Sequence, residues 1–237
     1  CATPVTPSST PVGSAAALQN IPAAPERDSL DLAGRFLGAE LAPLPDSALY
    51  PTEPVGTQRT FWAIDLRSTR MFEVAAELRH VSETALWYVS PDLRVGQDTL
   101  EETAHVFDGS ILPHVVRNFG GGTAPPGRVT VLHTDLPRVA GYFSAGDALP
   151  RSAYRFSNER MVLSINEPGE FGGESHLGTL AHELQHLVHW LGDPSEATWV
   201  NEGLAELAAR SLGLGALPYG PYLEDPEVSL TDWPDSP

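Results

Sequence analysis

Between Thr60 and Ser90 apolar and polar residues alternate. "TFWAIDL" (Thr60–Leu66) is aromatic and alternating, and "MFEVAAELRHV" sets Phe72, Val74, Ala76 and Leu78 against Glu73, Glu77 and Arg79. "ALWYVS" is aromatic and β-branched. A period of two in such segments predicts strands, here a small antiparallel β unit over roughly residues 55–92. At Asp98 the period lengthens. Leu100, Ala104, Phe107, Ile111 and Val115 fall on one helical stripe, with Asp98 and Glu101 in capping-box spacing. Pro113 should kink or break that helix, and Gly120–Gly122 should end it. The glycine run lacks the Lys and Ser/Thr of a phosphate loop and reads as a turn. "GRVTVLHTDL" and "RMVLSINEP" (Arg160–Pro168) follow as strands; the second suits either a core strand or an edge strand that aligns a peptide.

Two helices come next. The first, roughly Ser175–Leu191, has Leu177, Leu180, Ala181, Leu184, Val188 and Leu191 as its apolar stripe and Gly192 as its stop. It carries His182-Glu183-Leu184-Gln185-His186, the HExxH pattern. Four residues at 3.6 per turn place the two imidazoles on one face, about 6 Å apart along the axis. So placed they can hold one Zn²⁺ at about 2.0–2.1 Å each, and Glu183 reaches a water held there.

A catalytic zinc site needs a third protein ligand and a water. The metzincin third histidine would fall at Gly192, which excludes that pattern, and the only cysteine is Cys1. A carboxylate remains. Asp193-Pro194-Ser195-Glu196 reads as a helix start, with Asp193 as N-cap, Pro194 at N1 and Glu196 at N3. That capping role accounts for Asp193 better than a ligand role does. In the helix that follows, Val200, Leu204, Leu207 and Ser211 trace one face, with Trp199 beside it as packing core, and Glu202 and Glu206 trace another. A short connection makes the two helices antiparallel neighbours. Glu202 can then point at the same metal, and Glu206 can accept the other ring N–H of His182. His189 lies one turn past His186 and is read as a non-ligand: a group behind the ligands, a substrate contact or polar surface. The remaining histidines, 80, 105, 114, 133 and 176, carry no motif and read as surface or satisfied core.

This pair of helices resembles the gluzincin metallopeptidases, in which an HExxH helix is followed by one bearing "NE" and an acid one turn later, here Asn201-Glu202 and Glu206. The helix connection is shorter than in thermolysin, and no "GxMEN" exopeptidase motif is present. Segments including "FWAIDL", "LWYVSPD", "VAGYFSAGDALP", "RFSNERMVLSI", "LAHELQHLVHW" and "TWVNEGLAELAA" are more closely similar to the hyicolysin-like secreted bacterial metallopeptidases, over most of residues 28–212. The resemblance implies a zinc-dependent endopeptidase of extracellular proteins with one Zn²⁺ per chain. His182, His186 and Glu202 would be its ligands, Glu183 the general base and Glu206 the partner of His182. An oxyanion donor is also needed; the candidates are Tyr219, Tyr222 and His189. The expected fold is α+β: a zincin-like catalytic domain over 97–237, with a mixed sheet and the two site helices, preceded by a small β-rich unit over 28–96. Similar peptidases carry further helical sequence after "SLTDWPDSP", which implies a truncated domain. The alternative is a catalytically silent, peptidase-like surface lipoprotein that only binds; intact Glu183 and ligands speak against it. A purely structural zinc site is disfavoured by having three evident ligands.

Composition narrows the setting. The 237 residues suffice for a sizeable core, and there is no apolar run of 18 residues to cross a membrane. The net charge of -17 sets aside nucleic acid and anionic lipid surfaces as main partners; a protein or peptide substrate is what the resemblance implies. Residues 1–27 begin at Cys1, are rich in Pro, Ser, Thr and Ala, and suit a disordered tether. This resembles a mature bacterial lipoprotein, implying contact with a membrane only through a lipid on Cys1 and a place at the cell surface or beyond it.

Overall fold

The computed structural model describes residues 34–36, 52–121, 123–166, 170–194 and 196–214. The expected tether, Cys1, Tyr219, Tyr222 and the C-terminal "SLTDWPDSP" lie outside the described residues. The fold is α+β. Six strands, β1 (Gln58–Asp65), β2 (Arg70–Val81), β3 (Ala85–Val89), β4 (Val129–His133), β5 (Gly141–Phe143) and β6 (Val162–Ile165), form one sheet in the order β1-β2-β3-β4-β6-β5. The helices are α1 (Gln97–Val106), α2 (Leu112–Phe119), α3 (Glu174–Gly192) and α4 (Thr198–Ser211).

The first three strands form the expected antiparallel meander. They are not a separate unit: β3 pairs in parallel with β4, and β4 with β6, so the sheet runs unbroken across residues 96 and 97. The central strands β3, β4 and β6 are buried at every position, as their continuous apolar runs require when both faces are covered. Side chains alternate between two cores. Trp87, Val131 and Leu163 face the helices, where they meet Phe107, Leu180 and Leu184. Leu86, Tyr88, Leu132 and Val162 face the other way, towards Phe61, Val74 and Leu78 of the meander.

The sheet is curled, so its two ends in strand order approach each other. The Asn158 side chain accepts the Trp62 N–H at 2.8 Å and donates to the Trp62 carbonyl at 2.9 Å, standing in for a neighbouring strand. Buried Asp147 accepts from both the backbone N–H and the side-chain amide of Asn158, at 3.0 and 2.8 Å. The Tyr142 hydroxyl on β5 accepts the Ile64 N–H on β1 at 3.1 Å. These bonds satisfy part of the free edge of β1.

The predicted stripe of residues 98–122 is borne out: Leu100, Ala104, Phe107, Ile111 and Val115 are all fully buried. Pro113 does not end the helix. A π turn, Phe107–Ile111, joins α1 to α2. Proline has no N–H for an i→i−4 bond, and the wider turn carries the chain past that gap. Asp108, in the π turn, accepts the Glu83 N–H at 2.8 Å and the Ser82 hydroxyl at 3.1 Å, tying the helix to the β2–β3 turn. The expected capping box does not form: α1 starts at Gln97 behind Gly96, with no side-chain cap. "RMVLSINEP" contains an interior strand, β6, flanked by β4 and β5. The edge is β5, a three-residue strand too short for a period to reveal.

His133 at the end of β4 and His176 in the first turn of α3 meet at 3.0 Å between their Nε2 atoms, and Phe171 packs on both rings. His176 Nδ1 accepts the Gly172 N–H at 3.1 Å, so in the neutral pair His176 Nε2 donates and His133 Nε2 accepts. Burial pushes His176 down from 6.5 to about 4; burial and then the neighbouring ring push His133 down as well. Below pH 6.5 the unfolded chain takes up protons that the folded chain refuses, so this pair's contribution is whole above pH 6.5 and is lost as the pH falls towards 4. His176→Gln should therefore flatten the dependence of unfolding free energy on pH in that window by about 1.4 kcal/mol per pH unit. Urea unfolding at stepped pH measures it, and equal slopes for the two proteins would contradict it.

Candidate metal centre

Helix α3 runs from Glu174 to Gly192 and buries Leu180, Ala181, Leu184 and Val188 against the sheet and α2. The same helical period turns His182 and His186 to the opposite, partly open face, with ring centroids 4.8 Å apart. The chain leaves α3 at Asp193, which caps its C-terminus; the Asp193 N–H bonds the His189 carbonyl at 2.7 Å. Asp193 is thus not the N-cap of the next helix. α4 starts at Thr198 behind Ala197, with no side-chain cap.

The face α4 turns inward is not the expected one. Its buried residues are Ala205, Ala208 and Ala209, while Trp199 is 44% and Leu207 50% exposed. At 100° per residue, Glu202, Ala205, Glu206 and Ala209 share one side and Val200, Leu204, Leu207 and Ser211 the opposite one. The larger side chains suggested the packed face. Alanines make it instead, because the carboxylates must come within reach of α3 and only small neighbours permit that approach.

Glu202 Oε2 lies 3.4 Å from His182 Nε2 and 3.7 Å from His186 Nε2. One ligand atom from each of the three residues lies within 4.8 Å of the others. Among the described residues this is the group of three or more His, Cys, Asp or Glu side chains able to hold a metal ion. Two ligands about 2.05 Å from a tetrahedral ion are roughly 3.3 Å apart, close to the two distances from Glu202 Oε2 to the histidines. His186 Nδ1 faces Asn201 Oδ1 at 3.5 Å. A proton on Nδ1 leaves the Nε2 lone pair turned towards the centre. Three electron-pair donors converging on one point favour a cation among them.

The charges respond to this convergence. Glu202 is held down at about 2, first by His182 and then by His186 beside its carboxylate. Burial opposes a charge on His186, but Glu202 and Glu183 outweigh it and its pKa rises. Glu183 is 5% exposed. Its carboxyl is pushed up to about 7, first by burial; the two histidines and a backbone N–H from Phe143 pull the other way. Gly141 on the same strand makes that contact possible: a Cβ there would lie 2.9 Å from Thr179 Cγ2 and 3.1 Å from Glu183 Cγ.

Glu206 lines the cleft beside His182 and Glu183, and its Oε1 receives Arg210 Nε at 2.9 Å. His189 is outside the His–His–Glu group; its Nδ1 lies 3.4 Å from Gln185 Nε2. Several neighbours had no signal in the sequence. Asn201 stood out only as part of the "NE" pair. The Phe143 N–H, and Ile64 and Leu66 on the wall beside His186 and Glu202, come from segments distant in sequence. No protein-family model and no curated protein matches the chain.

Proposed function

We propose that this protein is a zinc-dependent endopeptidase with a zincin-type catalytic domain, cleaving extracellular proteins. The observation that carries the reading is the convergence of His182, His186 and Glu202 with a buried carboxylate, Glu183, next in sequence to one of the three. His182, His186 and Glu202 would hold the ion. Nitrogen and carboxylate donors without thiolate suit zinc. Zinc bound there would polarise a scissile carbonyl and acidify a water.

The chain's own residues supply the rest. Glu183 takes a proton from the attacking water and passes it to the leaving amine. Asn201 orients His186. Strand β5 borders the same cleft at the edge of the sheet, and an edge strand is a template for the main chain of an extended peptide. Zinc-loaded protein should hydrolyse denatured casein, chelation should stop it, and added zinc should restore it. Equal hydrolysis before and after metal removal would overturn the reading.

A further inference from the structure

Leu66 sits at the tip of the β1–β2 hairpin, at the far end of the strand order from β5. Curling of the sheet brings it to the metal centre. Ile64, Leu66 and Phe143 line the same cleft as His186 and Glu202. The tip is held in place. Tyr142 accepts the Ile64 N–H at 3.1 Å. Asp65 accepts the Arg67 N–H at 3.0 Å and the Ser68 hydroxyl at 2.6 Å, and Thr69 closes the turn with φ 54°.

A single exposed leucine is ordinary on a protein surface. This one is 46% exposed on the wall of a cleft that His182, His186 and Glu202 also line. Beside it, Ile64 and Phe143 also line the cleft. A side chain seated there gains by covering apolar carbon, and a charged one would lose water for no partner among these three residues.

Resting on the peptidase reading above, we propose that Leu66 is a specificity-determining residue. With Ile64 and Phe143 it would receive a bulky apolar side chain of an extended peptide bound across the metal centre, so that the substrates are apolar segments of unfolded proteins.

The test uses blocked hexapeptides carrying Phe, Leu, Ala or Asp at each central position in turn. Their binding to zinc-loaded Glu183→Gln protein is measured by calorimetry, and their cleavage by protein retaining Glu183. Leu66→Ser should weaken binding and lower kcat/KM for the Phe and Leu peptides by about 10-fold or more. Ala peptides should change by less than about 2-fold, since the substitution is on an exposed turn and leaves the fold intact. Leu66→Met should restore the preference. Unchanged binding of the Phe and Leu peptides in Leu66→Ser would overturn the assignment, as would equal loss for the Ala peptides or no binding of any peptide. Binding decides the role of Leu66 and turnover decides the peptidase reading: a Leu66-dependent preference without cleavage would keep the first and remove the second.

Discussion

Replacing Glu183 by glutamine should lower hydrolysis by about 10²–10⁴-fold, the usual contribution of a general base, while the protein keeps its full complement of zinc. The substitution is close to isosteric. Glutamine fills the same buried space under β5, where a Cβ on Gly141 would lie 3.1 Å from Glu183 Cγ. What it cannot do is bind and release a proton. Since His182, His186 and Glu202 are untouched, metal content should stay as it is. The measurement pairs casein hydrolysis with zinc per chain by plasma emission spectroscopy. Hydrolysis that survives in the glutamine protein would move the base to another residue. Loss of zinc along with activity would mean that Glu183 acts by holding the metal site together.

The second large effect is on stability and needs no assumption about turnover. A ligand that binds only the folded chain stabilises it by RT ln(1 + [L]/Kd), about 4 kcal/mol at a thousandfold excess over Kd. For a domain of this size each kcal/mol moves Tm by roughly 2–4 °C, so saturating zinc should raise Tm by about 8–16 °C. His186→Ala and Glu202→Ala each remove one of three converging donors and should abolish most of that shift. In the Glu202 protein the two imidazoles also lose the carboxylate that sits 3.4 and 3.7 Å from them. Thermal unfolding with and without zinc, run on all three proteins, settles the point. An undiminished shift in either alanine protein would place the metal elsewhere.

Much of the molecule was legible beforehand, and the reasons differ from element to element. The meander strands, β4, β6 and the 98–119 helical segment carry long apolar patterns, and a pattern of that length survives any tertiary arrangement. Before Pro113 the helix is interrupted by a π turn and then goes on, an accommodation that the local rule for proline does not specify. β5 was missed because three residues hold too little pattern to see. On α4 the pattern itself misled: size suggested the wrong face, since nothing within one helix says how closely its neighbour must approach.

By itself, the sequence determined the donor set and its spacing. His182 and His186 are four apart on one helix, Glu202 and Glu206 four apart on the next, and helical geometry puts each pair on one face without help from the rest of the fold. Only the tertiary structure decided what surrounds them. The turn of α4 onto its alanine face brings Glu202 to the histidines. The curl of the sheet carries β1 and β5 to the same cleft, so that Ile64, Leu66 and Phe143 line it together with Glu183 and Glu202. Those contacts join residues dozens of positions apart. They depend on long-range packing and sheet curvature, which a local period does not encode.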